Sequence, residues 1–73
     1  MKYIMIPHYV RIENAYIKTY AIVAIKKCIV VKIVKDVSTD KRAVSDLVKR
    51  LNAGKVELIH LENIIEDFYF ELL

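Results

Sequence analysis

The sequence predicts an α+β fold: a three-stranded antiparallel β-meander over residues 1–35, followed by two helices over residues 36–73 packed on one face of the sheet. Three observations carry this. The first half is dense in β-branched and aromatic residues, a cluster of oxygen-bearing side chains follows at Asp36–Asp40, and apolar residues beyond it recur at helical rather than alternating spacing. A chain of 73 residues has room for one core, so 1–73 is read as a single domain.

The first strand is expected over Tyr3–Ile12. Pro7 cannot donate to a ladder, which puts this strand at an edge or a bulge in it. Asn14–Ala15 is the turn candidate, and a second strand follows over Tyr16–Ile25. Lys26–Lys27 then separates a third, Cys28–Lys35. In the second run Ile17, Thr19, Ala21, Val23 and Ile25 alternate with Tyr16, Lys18, Tyr20, Ile22 and Ala24. In the third, Ile29, Val31 and Ile33 alternate with Cys28, Val30, Lys32 and Val34. Neither face is polar, so alternation alone does not say which one the helices cover.

Asp36-Val37-Ser38-Thr39-Asp40 can cap a first helical turn, and Ala43, Val44, Leu47, Val48 and Leu51 supply an apolar stripe behind it. Lys49 and Arg50 suit the last turn, and Gly54, the one glycine, suits a left-handed C-cap. After an extended piece over Lys55–Ile59, a second amphipathic helix is read from Leu61, Ile64, Ile65, Phe68 and Leu72. Its outer side carries Glu62, Asn63, Glu66, Asp67 and Glu71.

The stretch Tyr20-Ala21-Ile22, the motif Asp36-Val37-Ser38-Thr39-Asp40-Lys41, and the motif Ile59-His60-Leu61 through Ile64-Ile65-Glu66-Asp67-Phe68, with Leu47-Val48, Leu51-Asn52 and Val56 between them, resemble a small domain-of-unknown-function family of clostridia and related Firmicutes. The resemblance covers about the last two-thirds of the chain. Ala21 stands where that family has glycine, and Leu58 where it often has proline. The resemblance implies a bacterial, cytoplasmic protein and no particular activity.

The net charge of +3 hides an asymmetry: residues 1–35 carry +6, residues 36–54 carry +1 and residues 55–73 carry −4. The start, with Pro7 and His8 interrupting it, does not read as a signal peptide, and the apolar run Tyr20–Val34 is broken by three lysines and too short to span a bilayer. A single cysteine permits no internal disulfide and fits a reducing, cytoplasmic setting. With 56% apolar residues and neither disulfide nor metal framework, the chain is expected to gain stability from a partner.

Candidate chemistry is sparse. His60 is read as a helix-start residue and His8 as an edge residue. Cys28 is read as a buried, inert thiol, because no glycine turn or helix N-terminus exposes it. Glu66 and Asp67 point about 100° apart on a helix and do not converge. One glycine excludes a phosphate-cradling loop. No catalytic residue, metal ligand or cofactor is expected. The reading is therefore a small interaction or regulatory protein that binds a protein partner or itself through an apolar, tyrosine-bearing sheet face. Its candidate residues are Tyr16, Lys18, Tyr20, Ile22, Val30 and Lys32. The alternative is a nucleic-acid-binding module that uses the same tyrosines with the sheet lysines, Lys18 and Lys32 chief among them. The acidic second helix rules out groove insertion by the helix pair.

Overall fold

A computed structural model describes residues 1–71 of the chain. It contains β1 (Lys2–Ile12), β2 (Ala15–Lys26), β3 (Ile29–Ser38), α1 (Lys41–Ala53) and α2 (Leu58–Glu71) in that order. The sheet is an antiparallel meander in the order β1-β2-β3, with the helices on one side, as the sequence predicts. Leu72, expected on the apolar side of the second helix, lies outside the described residues.

Directly paired residues of antiparallel strands share a face, so the register assigns the two sides of the sheet. Tyr3 pairs with Ala24 and Met5 with Ile22, and all four belong to the core built with the helices. The front of the sheet therefore carries the odd residues of β1 and the even residues of β2. Val44, Leu47, Val48 and Leu51 of α1 and Leu61, Ile65 and Phe68 of α2 are buried against it. Pro7 sits on edge strand β1, at a position whose N–H would point away from β2, so the ladder loses nothing.

The connections differ from expectation by a residue each. The first turn is Glu13–Asn14, with positive φ at Glu13. The second is Lys27–Cys28, where φ is 51° and 64°, the pattern of a type I′ turn made without asparagine or glycine. Cys28 is thus an exposed turn residue and not a buried strand residue.

β3 runs on to Ser38, past the predicted boundary at 35, because Asp36 (φ 54°) bulges out and lets the strand continue. A second bulge falls between Ala24 and Ile25, where Val31 is skipped in the pairing. That extra residue reverses the alternation, so Val30 and Ile33, expected on opposite faces, both lie on the back with Ile25 and Val23.

The N-cap of α1 is Asp40, whose carboxylate accepts from the Ala43 N–H at 3.1 Å, while the Ser38 hydroxyl accepts from the Asp40 N–H at 3.0 Å. At the other end Gly54 keeps right-handed geometry (φ −81°), and Lys55 takes the left-handed position (φ 49°) expected of the glycine. The Val56 N–H donates to Leu51 O and the Lys55 N–H to Asn52 O, which together make a Schellman motif. α2 begins at Leu58, so residues expected to be extended, and His60 with them, form its first turn.

Candidate interaction surface

Among the described residues no helix lies over the back of the sheet. Its pairs are Lys2 with Ile25, Ile4 with Val23, Ile6 with Ala21, His8 with Thr19, Val10 with Ile17 and Ile12 with Ala15, continued on β3 by Ile33 and Val30. The surface is aliphatic through its centre, with Ile6 36%, Ile33 48% and Val30 53% exposed. Ala21 and Val23 on the central strand are only 1% and 5% exposed, although they are not part of the core built with the described helices. The larger side chains of β1 and β3 on either side shield them. The face is thus a trough along β2 between two ridges.

One polar cluster interrupts it. The Thr19 hydroxyl donates to Asp36 Oδ1 at 2.6 Å, and His8 Nδ1 lies 2.8 Å from the same oxygen. These two hydrogen bonds, Thr19 first, hold the Asp36 carboxyl below its ordinary value, and the nearby His8 and Lys35 charges act in the same direction. Because Thr19 donates to Asp36 and not to the imidazole, the three are not a nucleophile–base pair. What they do is tie the β3 bulge to β1 across the end of β2. Among the described residues no three His, Cys, Asp or Glu side chains converge on a metal site.

Beyond Tyr20, β2 has no β3 partner, so the β1–β2 hairpin continues as a two-stranded arm. On the front of the arm, past the core, Tyr9 is 60% and Tyr16 70% exposed. Lys18 lies over the rings of Tyr9 and Tyr20 at 5.9 and 5.7 Å, and Arg11 over Tyr16 at 6.0 Å. At the opposite edge, Lys32 on β3 is joined to Glu62 on α2 at 2.9 Å, which holds that carboxyl below its ordinary value. A shallow groove of about 370 Å³ between β3 and α2 is lined by this pair together with Val34, Ile65 and Tyr69.

The six residues expected to form one binding surface are therefore spread over several places. Tyr20 and Ile22 are core residues beneath the helices, at 8% and 0% exposure, and cannot meet a partner. Tyr16 and Lys18 stand on the arm, Lys32 is paired at the far edge, and Val30 alone lies on the open face. Ile6, Ala21, Val23 and Ile33 were missed because tyrosines were taken to mark the open side. The alternation gave no signal in their favour, since an uncharged odd set on β2 against Lys18 in the even set reads more readily as the buried side.

A model of a family of unknown function (DUF6514) matches residues 1–71. The chain belongs to that family. The match takes in the whole meander, well beyond the two-thirds of the chain that carried the resemblance. No curated protein and no solved structure matches the chain. No helix among the described residues is long and apolar enough to cross a membrane.

Proposed function

We propose that this DUF6514 member is a small, non-enzymatic interaction protein that binds a protein partner, or itself, through the back of its sheet. The observation that carries the reading is the uncovered aliphatic trough and its ridges, with Ile6, Val30 and Ile33 each more than a third exposed. A two-layer domain normally buries one sheet face and solvates the other with polar residues. Here the centre of the solvent side, between Lys2 at one end and the His8–Thr19–Asp36 cluster, is filled with isoleucine, valine and alanine. The exposed Cys28 thiol, unpaired in the chain, supports a reducing bacterial cytoplasm, in line with the clostridial resemblance. The test is affinity capture from the native cell with wild-type and Ile33→Lys baits. Identical captured sets would sink the reading.

The second reading, single-stranded nucleic acid, is favoured by one observation: exposed Tyr9 and Tyr16 flanked by Arg11 and Lys18 on the front of the arm. Lys32 drops out of it, being engaged by Glu62. The measurement is fluorescence anisotropy of a labelled single-stranded oligonucleotide at low salt. Binding that weakens steeply with added salt and is lost in Tyr16→Ala/Lys18→Ala would support it. Absence of binding at low salt removes it.

A further inference from the structure

We propose that, apart from anything that binds the back of the sheet, the β2 edge of the arm takes up an extended acidic segment of another protein as an added antiparallel strand, in line with β3.

The first observation is which backbone groups are free. The Tyr3 N–H and C=O both bond the Asn52 side chain on the outer side of β1, which sets the phase of the ladder. β1 and β2 pair without a register shift along their whole length, so the N–H and C=O of each even residue of β2 point away from β1. From Tyr20 onwards those groups face β3, whose last pair is Tyr20 with Ser38. Before it, the N–H and C=O of Tyr16 and Lys18 have no backbone partner among the described residues. The unfilled stretch, residues 15–19 of β2, is about 17 Å long at about 3.4 Å per residue.

The second is that this edge is unguarded where the others are not. Free edges are ordinarily blunted by proline, by bulges or by charges aimed outward. β1 carries Pro7, which has no outward N–H, and its Tyr3 groups are taken by Asn52. The outer edge of β3 is broken by the bulges at Val31 and Asp36. The β2 side of the arm has neither proline nor bulge, and its one lysine, Lys18, lays its ammonium over the rings of Tyr9 and Tyr20 instead of across the edge.

The third is charge. An added strand places alternate side chains beside Tyr16 and Lys18 on the front and beside Ile17, 40% exposed, on the back. The ionisable groups around the unfilled stretch are Arg11, Lys18, Lys41 and Arg42, against Glu13 and Asp40, and Asp40 is engaged as the N-cap of α1. At the inner end Asp36 is bonded by Thr19 and His8, with Lys35 beside it. The excess is positive, so carboxylates suit the front positions of the added strand and a β-branched residue covers Ile17 on the back. A second arm would instead bring another Arg11 and Lys18 to the same edge.

The experiment is an NMR titration of the isotope-labelled chain with a short, end-blocked peptide of alternating glutamate and valine, read by amide exchange. The expected result is exchange slowed by about tenfold or more at the Tyr16 and Lys18 N–H, and unchanged at Tyr9 on the opposite edge. Glutamates opposite Tyr16 and Lys18 turn their own N–H groups towards β2, so methylating the glutamate nitrogens should abolish the effect and methylating the valine nitrogens should not. The lysine–valine peptide should bind about tenfold more weakly or worse, and Lys18→Glu should remove that preference. The wild-type exchange data decide the matter even if that variant folds poorly. Unchanged exchange at Tyr16 and Lys18, shift changes confined to the back of the sheet or to α2, or indifference to methylation of the glutamate nitrogens would each overturn the proposal. Slowing that grows with concentration of the chain alone makes a second arm the occupant and overturns it too. A single-stranded oligonucleotide that binds the arm where the peptide does nothing overturns it in favour of nucleic acid.

Discussion

The side-chain amide of Asn52 on α1 acts as a strand partner for Tyr3 on β1: its Oδ1 accepts from the Tyr3 N–H at 2.8 Å, and its Nδ2 donates to Tyr3 O at 2.9 Å. The free edge of β1 is thereby closed at the point where it would otherwise offer a donor and an acceptor to another chain. The same residue anchors the helix a second time, since the Tyr3 hydroxyl donates to Val56 O at 2.8 Å, just beyond the α1 terminus. Burial pushes the Tyr3 phenol above its ordinary pKa, so it keeps this proton through the working pH range.

Asn52→Ala removes both amide bonds and leaves the edge to water. A loss of about 1–2 kcal/mol is expected, about 1 kcal/mol for each bond with partial rehydration at the edge. Thermal unfolding should show a midpoint lowered by about 4–8 °C per kcal/mol. Amide exchange at Tyr3 should accelerate more than at Ile22. Unchanged Tyr3 protection would mean that the edge is closed by something else.

The Lys27–Cys28 turn holds two non-glycine residues at positive φ, a region where a side chain costs roughly 1 kcal/mol or more per residue. Lys27→Asn with Cys28→Gly supplies the residues that a type I′ turn favours. A stabilisation of about 1 kcal/mol is expected, read as a higher midpoint in urea at unchanged slope. A lower midpoint would show that the turn is of another type.

At the end of α1 the glycine is one place too early. Gly54 is right-handed and Lys55 left-handed, so Lys55→Gly should stabilise the chain by about 0.5–1 kcal/mol, the relief of strain being partly offset by a freer unfolded chain. Gly54→Ala is not equivalent, because the added Cβ would sit 3.3 Å from Arg50 O and the helix end would have to give slightly. The chemical denaturation midpoints of the two variants, compared side by side, check the assignment.

These positions show where the sequence was legible. Order and type of all five elements could be read from periodicity, since β-branched runs and the Val44–Leu47–Val48–Leu51 stripe each have one structural outcome. A single glycine could not reveal which of two adjacent residues would be left-handed. The Val31 and Asp36 bulges leave no mark in the pattern, because an extra residue in a run that is apolar on both faces changes no visible alternation. That is why Val30 was set opposite Ile33. The Asn52–Tyr3 bond joins residues 49 apart and depends on docking alone. The sheet face bearing the candidate site was misassigned for a related reason: Tyr20 and Ile22 look much like a binding stripe until the helices are placed on them.

The Thr19–Asp36–His8 cluster gives stability a pH dependence of definite sign. The native Asp36 carboxyl lies below 3.8, its ordinary value, so the cluster's contribution is fully present above that pH and is lost as pH falls towards the native value. Asp36→Asn should lower stability by a constant amount above that pH and flatten the acid limb of a stability–pH profile. Thr19→Val should act in the same direction, as it removes the larger of the two hydrogen bonds that lower this pKa. Wild-type and variant acid limbs that superimpose below pH 3.8 would contradict the pairing.

The two faces of the sheet should respond oppositely to truncation. Ile22 is fully buried beneath both helices, so Ile22→Ala leaves a cavity and should cost about 2–5 kcal/mol, enough to unfold much of a small domain with no disulfide. Val30 is half-exposed on the open back, so Val30→Ala in an isolated chain should change stability by no more than about 0.5 kcal/mol. The contrast becomes a probe of occupancy. If a second copy covers the back, the cost of Val30→Ala should grow with protein concentration, because stability then includes the free energy of association. Urea midpoints measured over a wide range of concentration separate the cases. A concentration-dependent penalty at Val30 marks a covered face, and a constant small one marks a face open to water.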